Sequence, residues 1–272
     1  MFRVLYRTQT GELGMELSGK AALITGGAVG AGRGIALALA RAGCDVAVNY
    51  SKSEAEAAIT AHDAEAFGVR ALAVRADVRS DGAVGQMVSD VVSAFGHLDV
   101  LVNNAGVTRW IDHSDLEAVS DEAWDFIFDT NVRGTFYCSR AVVPSMTRAG
   151  GGVILNISSI SGVYGIGSSV PYCASKAAVN NMTLTLARAL APAIRVNAIA
   201  PGYVDTRWWQ DRENYEATKY FATEATPLKR VCSPEDVAEV AMGLIAADMV
   251  TGQVVVVDGG MGIATGLAGG RR

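Results

Sequence analysis

The sequence predicts an α/β domain built on a doubly wound, parallel, seven-stranded sheet with helices on both faces. Three observations carry this. From Lys20 onward, short Val- and Ile-rich runs alternate with longer segments of helical period. The short runs are apolar, as strands covered on both faces are. Thirty glycines against six prolines in 272 residues suit many tight strand–helix junctions better than a low-complexity chain.

The elements follow in order. "AALIT" (21–25) reads as the first strand and "RGIALALARA" (33–42) as its helix. "DVAVN" (45–49) is the second strand, followed by the helical "SEAEAAITAHDAEAF" (53–67). "RALAVRA" (70–76) and "DVLVN" (99–103) flank the helical "SDGAVGQMVSDVVSAF" (80–95). "GGVILNIS" (151–158), "IRVNAIA" (194–200) and "GQVVVVDGG" (252–260) complete the seven. No segment has the composition of an interdomain linker and none repeats, so residues 15–272 are expected to form a single domain, with residues 1–14 a flexible extension ahead of Met15. Residues 203–232 are polar, aromatic-rich and long for a connection, which is the composition of a lid.

Composition excludes several classes. The net charge is −5, and no cluster of Lys and Arg interrupts the acidic balance except Arg271-Arg272, so nucleic acid is not an expected partner. Cys44, Cys138, Cys173 and Cys232 form no C-x-x-C pair, which fits a reducing cytoplasm. His62, His97 and His113 share no ligand spacing, so no metal site is expected. No apolar run reaches the roughly 18 residues of a membrane helix.

The chemistry starts in the turn after the first strand, "TGGAVGAGRG" (25–34). Gly26, Gly30 and Gly32 let the backbone turn tightly, and they let peptide N–H groups approach a pyrophosphate at a helix N-terminus. Their position between strand and helix is what a dinucleotide site requires, although the spacing is not G-x-G-x-x-G. "GMELSGK" (14–20) imitates a P-loop, but Ala21 stands where Ser or Thr must hold magnesium, and the run precedes its strand. No G-x-S-x-G elbow is present, so hydrolase chemistry is unsupported.

Further markers follow in order: "ADV" (76–78), "NNAG" (103–106), "NVRG" (131–134), "NISS" (156–159), "YCASK" (172–176), "NAIAPG" (197–202) and "TGQVVVVDGG" (251–260). With the glycine turn they make the chain resemble the short-chain dehydrogenase/reductase family, in the branch of 3-oxoacyl-carrier-protein reductases, from about Leu17 to Gly262. The resemblance implies a Rossmann-type fold and a role for each marker. Gly26, Gly30 and Gly32 would line the pyrophosphate, Asp77 and Val78 would meet the adenine, and Asn104 and Gly106 would border its ribose. Pro201, Gly202, Val204 and Thr206 would hold the nicotinamide end. Asn131, Ser159, Tyr172 and Lys176 would form a catalytic tetrad, with Tyr172 and Lys176 also binding cofactor. The related enoyl reductases place six residues between Tyr and Lys rather than the three found here. The resemblance also implies a homo-oligomer, a tetramer or dimer, assembled through helices near 120–145 and 172–190.

Residues four apart lie on one helix face, so Tyr172 and Lys176 can address one ligand. Bringing a phenol from ~10 to near 7 needs about 4 kcal/mol. One charge at ~4 Å supplies about that much at an effective dielectric of ~20. Lys176 is therefore expected to lower the phenol, and Tyr172 to exchange a proton with a ketone or alcohol oxygen. Ser159 would hydrogen-bond the same oxygen, and Asn131 would hold a water linked to Lys176.

After the second strand, Tyr50 stands near the place where NAD-using relatives carry Asp, and Ser51, Lys52 and Ser53 offer donors and a positive charge to a 2′-phosphate. The reading is NADP(H) in preference to NAD(H). Many NADP-using relatives, however, have a basic residue where this chain has Val29. Trp110, Tyr164, Trp208 and Trp209 suggest an aromatic-walled pocket for an apolar or cyclic ketone or alcohol. Two alternatives stay open: a non-catalytic dinucleotide sensor or scaffold, and an epimerase or dehydratase on the same scaffold.

Overall fold

The computed structural model describes residues 15–264. The expected extension 1–14 and the Arg271-Arg272 pair lie outside the described residues. All seven expected strands form: β1 (Ala21–Ile24), β2 (Asp45–Tyr50), β3 (Ala71–Arg75), β4 (Val100–Asn103), β5 (Gly152–Ile157), β6 (Ile194–Pro201) and β7 (Val254–Val257). They make one sheet in the order β3-β2-β1-β4-β5-β6-β7, with every pairing parallel.

The apolar strand runs are explained by a core on each face. Ala22 and Ile24 of β1 enter one core and Ala21 and Leu23 the other; Val100 and Val102 of β4 likewise oppose Leu101. The first core is closed by α1 (Gly30–Arg41), α2 (Glu54–Glu65) and α10 (Pro234–Ala246). The second is closed by α3 (Asp81–Phe95), α5 (Thr135–Arg148) and α7 (Val170–Leu190). Period-two alternation therefore carries no polar face here, because both sides of every central strand meet a helix.

The helix expected near 120–145 is not continuous. It runs as α4 (Asp121–Phe128), a π-helical turn over Asp129–Gly134, and then α5. Such turns interrupt the regular ladder and re-aim the residues they contain; this one contains Asn131. The segment 203–232 holds α8 (Arg207–Gln210) and α9 (Tyr215–Ala225), neither of which has a buried residue, and it closes with a bridge between Val204 and Cys232. The short α6 (Ser161–Tyr164) follows β5.

The strand order reverses between β1 and β4, and the crevice at their carboxyl ends is where ligands bind in open α/β sheets. The glycine turn follows β1 and Asn104–Gly106 follow β4, so both expected cofactor segments open onto that crevice.

Candidate active site

The glycine turn is shaped by what a side chain would strike. A Cβ on Gly32 would lie 2.4 Å from Asn104 Nδ2 and 2.8 Å from the Gly26 carbonyl. Gly26 and Gly30 have φ of +59° and +58°, a region glycine enters without steric cost. Asn104 ties the turn to the end of β4, donating from Nδ2 to the carbonyls of Thr25 (3.0 Å) and Gly26 (2.9 Å). Asn49, a residue the sequence reading passed over, accepts from the Gly26 N–H at 3.2 Å. The first turn of α1 has neither a side-chain cap nor an acidic residue, so its free N–H groups and the positive end of its dipole suit an anion. On that evidence a dinucleotide pyrophosphate fits.

The adenosine-side residues gather beyond β2 and β3. Ser51 and Lys52 are exposed on the turn after β2. Asp77 is bound by its neighbour: Arg79 donates from its backbone N–H and Nε to Oδ1 and from Nη2 to Oδ2. Those bonds hold the Asp77 carboxyl below the usual range against the opposing effect of burial, and the Lys52 charge adds to them. Val78 is buried against Gly134, where a Cβ would lie 2.7 Å from Val78 Cγ2.

The four expected catalytic residues come from three segments: the π-helical turn (Asn131), the chain just past the end of β5 (Ser159) and α7 (Tyr172 and Lys176). Ser169 caps α7 by accepting from the Tyr172 N–H at 3.4 Å, which sets Tyr172 in the first turn and Lys176 one turn on. Lys176 is buried and donates from Nζ to the Ile157 carbonyl at 2.9 Å. A Cβ on Gly106 would lie 3.5 Å from both Lys176 Nζ and Asn131 Oδ1, so all three meet at one point. Ser159, just past β5, donates to Ser161 Oγ at 3.0 Å and accepts from the Ser161 N–H at 3.1 Å.

Asn131 spends both amide hydrogens, on the Val107 carbonyl and Ser175 Oγ (each 3.0 Å), while its Oδ1 accepts from the Val107 N–H at 2.8 Å. What its side chain has left for a water is one lone pair on Oδ1. Ser175 donates to the Tyr172 carbonyl at 2.8 Å and also accepts from Asn131, while Ser161 Oγ accepts from Ser159.

The electrostatics correct one expectation. Burial pushes the Tyr172 phenol up to about 12, with the Ser159 hydroxyl working the other way, and burial pushes the Lys176 ammonium down to about 8. The expected lowering of the phenol toward neutrality does not occur in the free chain. Taking both groups out of water penalises phenolate and ammonium alike, and Lys176 Nζ lies 5.8 Å from the Tyr172 ring centroid rather than on its oxygen. Burial also raises the Cys173 thiol, and a Cβ on Gly167 would lie 3.3 Å from Cys173 Sγ, so this cysteine packs.

At the expected nicotinamide end, Gly202 passes Asp258 so closely that a Cβ would lie 2.8 Å from the Asp258 Cβ. Pro201 ends β6, and its carbonyl accepts from the Ile160 N–H at 2.9 Å. Thr206 lies against Gly30, with Cγ2 3.3 Å from where a Cβ would be. The aromatic residues divide. Trp208 stands beside Tyr172 (centroids 6.2 Å apart), whereas Trp209 packs on Tyr203 at 4.4 Å and on Trp110 at 4.8 Å. Tyr164 lies against Gly262. Among the described residues no His, Cys, Asp and Glu group could hold a metal, and no helix is long and apolar enough to cross a membrane.

Fold and site together define a dinucleotide-type crevice with a Tyr, Lys, Ser and Asn cluster at its edge. Residues 26–262 match a family model described as enoyl-(acyl carrier protein) reductase. A ketoacyl reductase of the granaticin polyketide synthase of Streptomyces violaceoruber is 43% identical over 88% of this chain and 94% of its own. The 3-oxoacyl-[acyl-carrier-protein] reductase FabG of Staphylococcus epidermidis is 40% identical over 89% of this chain and 98% of its own. A solved short-chain dehydrogenase/reductase from Burkholderia xenovorans superposes with a TM-score of 0.84 at 36% identity, covering 92% of this chain and 98% of that one. The chain belongs to the short-chain dehydrogenase/reductase family of oxidoreductases, in its FabG-like branch.

Proposed function

We propose that this chain reduces a ketone to a secondary alcohol, reversibly, with NADP(H) preferred to NAD(H). The observation that carries the reading is the convergence of Lys176 and Asn131 on Gly106, with Tyr172 one turn from Lys176 and the glycine turn across the same crevice. The bound dinucleotide supplies or accepts the hydride. Gly26, Gly30 and Gly32 would take its pyrophosphate, Asp77, Val78, Asn104 and Gly106 its adenosine, and Pro201, Gly202, Val204 and Thr206 its nicotinamide end. Ser51 and Lys52 would meet a 2′-phosphate.

Tyr172 holds its proton at neutral pH because burial raises the phenol, so it stands ready to protonate a forming alkoxide, which is more basic still. Ser159 would hydrogen-bond the same oxygen once its one hydroxyl hydrogen, given to Ser161 Oγ in the free chain, turns toward it. Lys176, while charged, stabilises the phenolate left behind. Asn131 positions Ser175 and the Val107 loop around that ammonium and offers its last lone pair to a water.

The relatives' names point to 3-oxoacyl thioesters as the first substrate class, and Trp208 beside Tyr172 suits an apolar chain or ring. A homotetramer or dimer through α5 and α7 is supported by the exposed Phe136 and Leu184 on those helices; a monomer in sedimentation would refute it. The function itself is tested with a panel of 3-oxoacyl thioesters, apolar and cyclic ketones and secondary alcohols, followed by reduced-nicotinamide absorbance. NADPH-dependent consumption of a ketone is expected. No turnover across the panel would sink the enzyme reading, and faster rates with NADH would sink the cofactor preference.

A further inference from the structure

One side chain ties the lid to the loop after β2. Arg207 opens α8, and its guanidinium reaches the start of α2, donating from Nη2 to Ser53 Oγ (2.8 Å) and from Nη1 to Glu56 Oε1 (2.9 Å). Ser53 occupies the capping position of α2, yet its hydroxyl caps nothing and serves Arg207 instead. The preceding residue, Thr206, rests on Gly30 at the N-terminus of α1. The chain from Thr206 to Arg207 therefore passes over the anion-binding end of α1 and sets a cation beside Ser51 and Lys52. Lys52 in turn is near enough to Asp77 to help hold its carboxyl down. The guanidinium thus joins the segment 203–232 to the loop after β2, one residue along from the Thr206 contact with the glycine turn.

We propose that Arg207 is a specificity-determining residue for the dinucleotide: a lid-borne cation that recognises a phosphate on the adenosine ribose and so couples that phosphate to the position of the lid. The inference rests on the NADP(H) reading above. A guanidinium binds phosphate through a planar, two-pronged set of donors. Its present ion pair with Glu56 has side chains 46% and 43% exposed, and exposed pairs of this kind contribute little. A doubly charged phosphate displaces the single Glu56 carboxylate, while a ribose 2′-hydroxyl brings no charge and leaves the pair in place. Glu56 then acts as a brake on phosphate binding, and its removal frees the cation.

The test uses the full chain and two probes that differ only in the 2′-phosphate, adenosine 2′,5′-bisphosphate and adenosine 5′-monophosphate. Binding is measured by calorimetry on wild type, Arg207→Met and Glu56→Gln. Arg207→Met should weaken the bisphosphate roughly tenfold, as the loss of one charged phosphate contact does, and leave the monophosphate unchanged. Glu56→Gln should tighten the bisphosphate a few-fold. In wild type the bisphosphate should also slow proteolysis within residues 207–225 more than the monophosphate does, a difference that Arg207→Met should erase. Wild type preferring the bisphosphate with Arg207→Met indistinguishable from it overturns this inference and leaves the NADP(H) reading standing. Wild type with no preference for the bisphosphate overturns both.

Discussion

The molecule holds two Tyr–Lys pairs of the same helical spacing. Tyr172 and Lys176 lie on α7; Tyr215 and Lys219 lie on α9 in the segment 203–232. The ammonium stands 5.8 Å from the ring centroid in the first pair and 5.4 Å in the second, so geometry alone does not separate them. Their surroundings do. Lys219 bonds Asp205 Oδ2 at 2.6 Å and Tyr215 OH at 3.1 Å, and these bonds push its ammonium up. Although burial alone would raise Asp205, bonds from Lys219, Tyr215 and Gln210 hold its carboxyl below the usual range. Lys176 donates to the Ile157 carbonyl rather than to a carboxylate, and burial moves it the opposite way. An i, i+4 pair is thus a structural clasp where a carboxylate lies against it, and in the buried pair, where none does, it has the setting that the proposed proton transfer requires.

The sharpest way to break this contrast is to remove each hydroxyl in turn. Tyr172→Phe should lower kcat for ketone reduction by about 10²–10⁴, the usual weight of a positioned acid, while leaving dinucleotide binding in place. Tyr215→Phe should change kcat less than about twofold, because its phenol contacts only the lid. Equal losses in steady-state assays would show that burial does not distinguish the pairs.

The lysines come next. Lys176→Met should lower kcat/KM by about 10²–10³, in the range for losing an electrostatic contact to a developing charge. It should nevertheless match or exceed wild type in urea midpoint at pH 7, because a buried ammonium facing only a carbonyl opposes folding. Lys219→Met should do neither. A large drop in the Lys176→Met midpoint would mean that the cation supports the fold.

A smaller effect is expected with pH. The Lys176 ammonium has a folded value of about 8 against an ordinary 10.5. The free enzyme's kcat/KM for reduction should hold below pH 8 and decline as pH rises through it, when the charge beside the phenol is lost. Stability runs the other way. Between 8 and 10.5 the unfolded chain still holds the proton that the folded chain has released, so wild-type stability should gain on Lys176→Met as pH rises through that window. Denaturant midpoints of the two proteins across pH check the sign. The smallest effect belongs to Asp205→Asn, which should loosen the half-buried clasp of the 203–232 segment and raise KM a few-fold with little change in kcat.

Much of the architecture was legible because its signals are local. Continuous apolar runs marked the seven strands, since a strand buried on both faces has no polar alternation to hide it. The glycine turn was legible from its place between strand and helix. The break in the 120–145 helix was not, because "DTNVRG" carries no proline, a lone glycine is a weak signal, and the turn is held by distant groups, the Val107 backbone and Ser175 on Asn131. Asn49 and Ser161 were missed for a similar reason: each is an unremarkable polar residue until folding sets it against Gly26 or Ser159.

From its residues alone the chain determined the sheet, the crevice and the identity of the groups placed at it, since periodicity and turn chemistry are properties of neighbours in sequence. Tertiary structure decided what those groups are worth. The charge on Lys176, the proton on Tyr172 and the reach of Arg207 depend on how much water is excluded and which distant oxygen or carboxylate is brought near. Solvation and Coulomb energy are set by distances through space, which no spacing along the chain encodes.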